Sequence, residues 1–178
     1  MIGWKGDMRF NAKFADLVDM GTLADLSGDD LPEGLRRTVD EGWTCDERGA
    51  WLLRDRLATY HGSPEAFTDV TGYEAAVNGR ALWDLDLEME GKPRAAALAR
   101  RGIAFARAAL RRLNADHPDH PPAVAYVSIS DEDPADDIPY EGDVTFVTAH
   151  HGEPPYVRDL QAVAANAVLA IHSTECLE

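Results

Sequence analysis

A chain of 178 residues, 45% hydrophobic and 28% charged, has an ordinary globular balance and can bury a core without disulfide or metal staples. Its 17 Lys and Arg against 32 Asp and Glu give a formal net charge of −15. Such a surface argues against binding to nucleic acid or to anionic lipid and favours a basic partner, although the same charge also serves plain solubility.

The first part of the chain reads as short helices. Asn11 can cap a segment carrying Phe14, Leu17 and Val18 that ends near Gly21. Asp30-Leu31-Pro32 marks a helix start, with proline where its missing N–H costs nothing, and Gly42 ends that helix. Thr44 and Glu47 have capping-box spacing, and the helix expected after them places Ala50, Leu53, Leu57 and Tyr60 on one face, with Gly62 as its cap. Ser63-Pro64-Glu65 opens another short helix.

From Asn78 the expected period changes. Asn78-Gly79 is a two-residue turn signal. After it Trp83, Leu85, Leu87 and Met89 alternate with Asp84, Asp86, Glu88 and Glu90, the pattern of a strand with one buried and one solvated face. The segment Tyr73–Val77 reads either as its hairpin partner or as a helix. Residues 92–114 predict a helix. It carries Leu98, Ile103, Phe105, Ala106, Ala109, Leu110 and Leu113 on one side, and Arg94, Arg100, Arg101, Arg107, Arg111 and Arg112 on the other. Two strands, Ala123–Ser130 and Asp143–His150, flank an acidic, proline-broken loop. The spacing of Val157, Leu160, Ala164, Val168 and Ile171 predicts a last helix.

These elements make one α+β domain over residues 1–178: a mainly antiparallel sheet of three or four strands with helices packed on one face. Residues 1–70 form a helical N-terminal region, and 71–176 a strand-helix-strand-strand-helix core. The closing Leu177-Glu178 reads as a scar left ahead of a purification tag. Cys45 and Cys176 are far apart, in no CxxC pattern, so neither a disulfide framework nor a thiolate zinc site is implied. The opening MIGWKGDMRF has no apolar signal core, and no stretch reaches the ~20 apolar residues of a membrane span. A cytoplasmic location is therefore expected, with no membrane partner.

Chemistry-bearing features are few. Asp84, Asp86, Glu88 and Glu90 would project from one strand face about 6.6 Å apart, suited to acid–base work or a divalent cation, or to nothing more than a solvated face. His150 and His151 follow a strand that Asp143 begins, a place for a general base or a metal ligand. Adjacent strand residues nevertheless point to opposite faces, and no HExxH or HxH supports them. His117-Pro-Asp-His120 has ligand-like spacing but reads as a loop. Residues 91–114 hold Lys92 and six arginines and no acidic residue. Arg100, Arg107 and Arg111 could bind an anion, or these arginines could meet carboxylates of the first seventy residues. The acidic loop contributes Asp131, Glu132, Asp133, Asp136, Asp137 and Glu141 as a surface for a basic partner; it lacks the ligand periodicity of a calcium loop.

There is no GxSxG, no P-loop and no GxGxxG, and no metal or cofactor is implied. The reading that follows is a non-catalytic interaction protein, for example an immunity-type inhibitor of a basic toxin. The alternative is a small enzyme or ligand-binding protein with a His–carboxylate site, with or without a metal.

Overall fold

In the computed structural model, residues 9–23, 26, 30–82, 84–133, 135 and 138–177 are described. Trp83, Asp136, Asp137, Glu178 and most of the opening MIGWKGDMRF segment lie outside the described residues. A five-stranded, fully antiparallel sheet organises the chain. Its order is β1 (Arg9–Phe10), β7 (Ala167–His172), β5 (Ala123–Ile129), β6 (Gly142–Thr148) and β4 (Arg80–Ala81). A separate hairpin pairs β2 (Trp43–Cys45) with β3 (Trp51–Leu53). The expected sheet of three or four strands thus has five among the described residues, the hairpin stands apart from it, and residues 1–70 are not purely helical.

Four helical expectations hold. Asn11 caps α1 (Ala12–Leu17) by accepting from the Phe14 N–H. Pro32 precedes α2 (Glu33–Glu41), which Gly42 ends at φ +71°, a conformation glycine adopts without cost. Ser63-Pro64 opens a 3-10 turn over Pro64–Ala66. The long helix is α5 (Gly91–Asp116), lying against the sheet face lined by Ala125, Val127, Ile129, Phe146, Leu169 and Ile171. Phe146 is gripped edge-on by Phe105 at 5.4 Å and Trp43 at 5.5 Å. Gly102 lets the helix approach closely: a Cβ there would stand 2.5 Å from Val127 Cγ1.

Four expectations fail, each for a physical reason. The capping-box helix after Thr44 is a hairpin instead. Asp46 Oδ1 accepts from the Arg48 and Ala50 N–H groups, Gly49 takes φ +84°, and the flanking Trp43, Thr44 and Trp51 suit strands. Only Arg54–Ala58 beyond it is helical (α3).

The alternating segment expected from Trp83, which lies outside the described residues, is not a strand over residues 84–89. Leu82 N–H reaches Gly142 O at 2.7 Å, but Gly142 is where β6 begins, so there is no further edge to pair with. The chain turns away, leaving Leu85 81% exposed. Asn78-Gly79 is not a hairpin turn either. Asn78 is the last residue of α4 (Val70–Asn78), and Gly79 has an ordinary negative φ of −77°.

The last expected helix is β7 preceded by a 3-10 turn at Leu160–Ala162. Every residue of Ala167–Ile171 is buried. A short apolar run of this kind is a strand covered on both faces, which helical spacing imitates. Its second face is covered by Val157, Leu160 and Val163 over Tyr126, Val147 and Val168. Among the described residues, no helix is long and apolar enough to cross a membrane.

Candidate functional site

Helix α4 runs along the open edge of β6 and stitches it to β3 with two side chains four residues apart. Glu74 is fully buried. Its Oε1 accepts from Trp51 N–H at 2.7 Å and Thr148 Oγ1 at 2.8 Å, and its Oε2 from Thr148 N–H at 2.6 Å. Asn78 accepts from Leu53 N–H at 2.9 Å and donates to Trp51 O and Phe146 O. The pair substitutes for a missing strand, answering edge groups that would otherwise be orphaned. His150 closes this seam, its Nε2 lying 3.1 Å from both Glu74 Oε1 and Thr148 Oγ1.

The carboxylate beside His150 is thus Glu74, not Asp143. Asp143 sits near the opposite end of β6, opposite Ala81 and Ser128, and is exposed. His151 is exposed as well. Burial raises the Glu74 pKa, while its backbone and hydroxyl donors and His150 pull the other way. Because both oxygens are already bonded, this pair works as a structural joint. Glu153 continues it, accepting from Val70 N–H, Thr71 N–H and Thr71 Oγ1 at the start of α4.

The arginines of α5 are largely committed within the chain. Arg100 grips Asp30 with two 2.9 Å bonds, which fits the expectation of carboxylates from the first seventy residues. Arg101 grips Asp86 with two bonds, and Arg112 pairs with Asp116. Arg107 is half-buried near Glu175 and Cys176, whose thiol burial pushes up to about 11; Arg111 is exposed. Arg107 and Arg111 are neighbours beside Cys176, while Arg100 is taken up by Asp30.

Arg94 is a correction: it lies on the buried face, 8% exposed, in register with Leu98 and Phe105. Its guanidinium donates to Tyr140 O at 2.9 Å, Leu87 O at 3.0 Å and Asp84 Oδ2.

That clamp brings together two acidic segments that are distant in sequence. One is 84–90. The other is the β5–β6 loop, which crosses itself where Asp133 and Ile138 exchange backbone bonds. Around them Glu88, Glu90, Glu132, Asp133 and Glu141 are exposed. Asp131 is tied to Lys13 at 2.6 Å, and Lys92 stands exposed at the start of α5. Burial, then Glu132 and Asp131, raise the Tyr140 hydroxyl pKa, which sets that ring beside the loop carboxylates.

The same two segments carry Leu85 (81% exposed), Ile138 (44%) and Met89 (43%). These are three of the molecule's exposed large apolar side chains. Sequence alternation put Leu85 and Met89 in the core, so their exposure was hidden in the reading of 83–89 as a strand.

Among the described residues, no three His, Cys, Asp or Glu side chains gather as a metal-holding group. One cleft of about 330 Å³ lies between α2, α3 and Ala81, Leu82, Asp84 and Leu85, and another between Phe10 and Arg158–Gln161. Neither is lined by His150. Compared with known proteins, the chain significantly matches no family model, no curated protein and no solved structure.

Proposed function

We propose that this is a non-catalytic interaction protein that binds a basic protein partner, as an immunity-type inhibitor does. Its binding surface would be the end built from 84–90 and 131–141. The observation that carries this reading is the buried Arg94 clamp, which holds the backbone at Leu87 and Tyr140 and so ties together two segments that carry the exposed Leu85, Met89 and Ile138 and the exposed Glu88, Glu90, Glu132, Asp133 and Glu141. The apolar knobs supply contact area, and the carboxylates steer a cationic surface and set the orientation.

The test is affinity capture at low salt, identification of the partner, and calorimetry of the purified pair. The expected partner is basic, and its affinity falls as salt rises. Charge reversal at Glu132, Asp133 and Glu141 should weaken binding about tenfold or more, and Leu85→Asp comparably. Equal affinity in both variants would reject the surface. A second reading, a small enzyme or ligand-binding protein acting through His150, is favoured by the Glu74–His150 contact alone. It requires a metal or metabolite that shifts the unfolding midpoint of the wild type and not of His150→Ala.

A further inference from the structure

A second arginine stands in contrast to Arg94. Arg56, on α3, extends over the Phe105 ring, its guanidinium carbon 5.8 Å from the centroid. Its Nε is buried and has no hydrogen-bond partner among the described residues. It lines the cleft of about 330 Å³, whose apolar wall comes from Leu35, Leu82 and Leu85.

The carboxylates of that cleft have other work. Asp55 accepts from Thr38 Oγ1 at 2.7 Å, and Asp84 is held by Arg94. The other nearby charge is Arg80, whose guanidinium donates to Thr59 Oγ1 at 2.9 Å. Burial first, and Arg80 second, lower the Arg56 pKa, with Asp55 opposing. A guanidinium whose Nε is out of water with no hydrogen-bond partner, beside a second cation, is an undercompensated charge. It is relieved when an oxyanion docks on the outer N–H groups.

We infer that the cleft between α2, α3 and Ala81, Leu82, Asp84 and Leu85 binds a small organic oxyanion, a carboxylate or phosphate monoester seated on Arg56, with its apolar body against Leu35, Leu82 and Leu85. The size of the cleft suits a ligand of a few heavy atoms. The site adjoins the proposed partner-binding surface and shares Leu85 with it. It also lies away from Arg100, Arg107 and Arg111, where charge alone suggested an anion.

The experiment uses the full chain, with calorimetry and the Arg56 Nε–Hε signal in ¹⁵N-edited spectra as readouts. Hexanoate, phenyl phosphate, inorganic phosphate and benzyl alcohol are titrated at constant ionic strength. Hexanoate or phenyl phosphate should bind saturably and shift the Arg56 signal; the tighter of the two identifies the anionic group. Arg56→Gln should weaken that binding about tenfold or more, and Arg56→Lys less, while Arg158→Gln at the other cleft leaves it unchanged. No saturable binding to the wild type would overturn the proposal. So would equal binding by Arg56→Gln, or benzyl alcohol binding as tightly as the anions.

Discussion

Arg94 and Arg56 meet the same segment of chain from two sides and are treated oppositely. Arg94 is almost completely buried, and its donors are met by two backbone carbonyls and Asp84. Arg56 has a buried Nε with no partner among the described residues, an aromatic ring beneath it and a cleft beside it. A buried charge whose hydrogen bonds are answered fixes structure, because removing it strands its partners. One left unanswered adds little to the fold and keeps its capacity for a ligand. Glu74 and Asn78 belong with Arg94: each bonds to backbone groups of two different strands.

The largest expected effect is at Glu74. Glu74→Ala strands the Trp51 and Thr148 N–H groups and the Thr148 hydroxyl, and should cost about 4 kcal/mol in denaturant unfolding. Arg94→Ala should cost about 3 kcal/mol and also loosen the Leu87 and Tyr140 backbone, seen as faster amide exchange in 84–90 and 131–141.

Glu153 is a milder case. Burial opposes its ionisation, but the hydrogen bonds from Thr71 and Val70 together hold its pKa below the ordinary Glu value of 4.5. A lowered folded-state pKa means stability that is complete above that ordinary value and lost as pH falls through the lowered one. Glu153→Gln should therefore cost about 1 kcal/mol at neutral pH and flatten the acid limb of the stability profile. Smallest of all, Arg56→Ala should stay within about 1 kcal/mol of wild type, the lost ring contact offset by relief of the uncompensated charge. A loss as large as that of Arg94→Ala would erase the distinction between the two arginines.

Local chemistry and long periodicity made part of this molecule legible in the sequence. Asn11 as a cap, Gly42 as a stop, α5 over most of its length, β5 and β6 all follow from side-chain patterns that neighbouring residues satisfy among themselves. The acidic loop between β5 and β6 was readable on the same grounds. Its pairing with 84–90 was not, because Arg94 joins them through carbonyls that carry no sequence signal.

Tertiary structure alone decided the remaining elements. The alternation of 83–89 satisfies a strand pattern, but residues 84–89 find no β6 edge beyond Gly142, so Asp84 and Asp86 turn to arginines and Leu85 to solvent. The spacing in 157–172 satisfies a helix pattern, yet Ala167–His172 is claimed by the open edges of β5 and β1. Whether an apolar residue is buried, or an arginine answered, depends on what the rest of the chain brings beside it. Sequence therefore fixed the charge and the strongest helix and strands, while packing chose which acidic and apolar groups share a face and which arginine was left to a cleft.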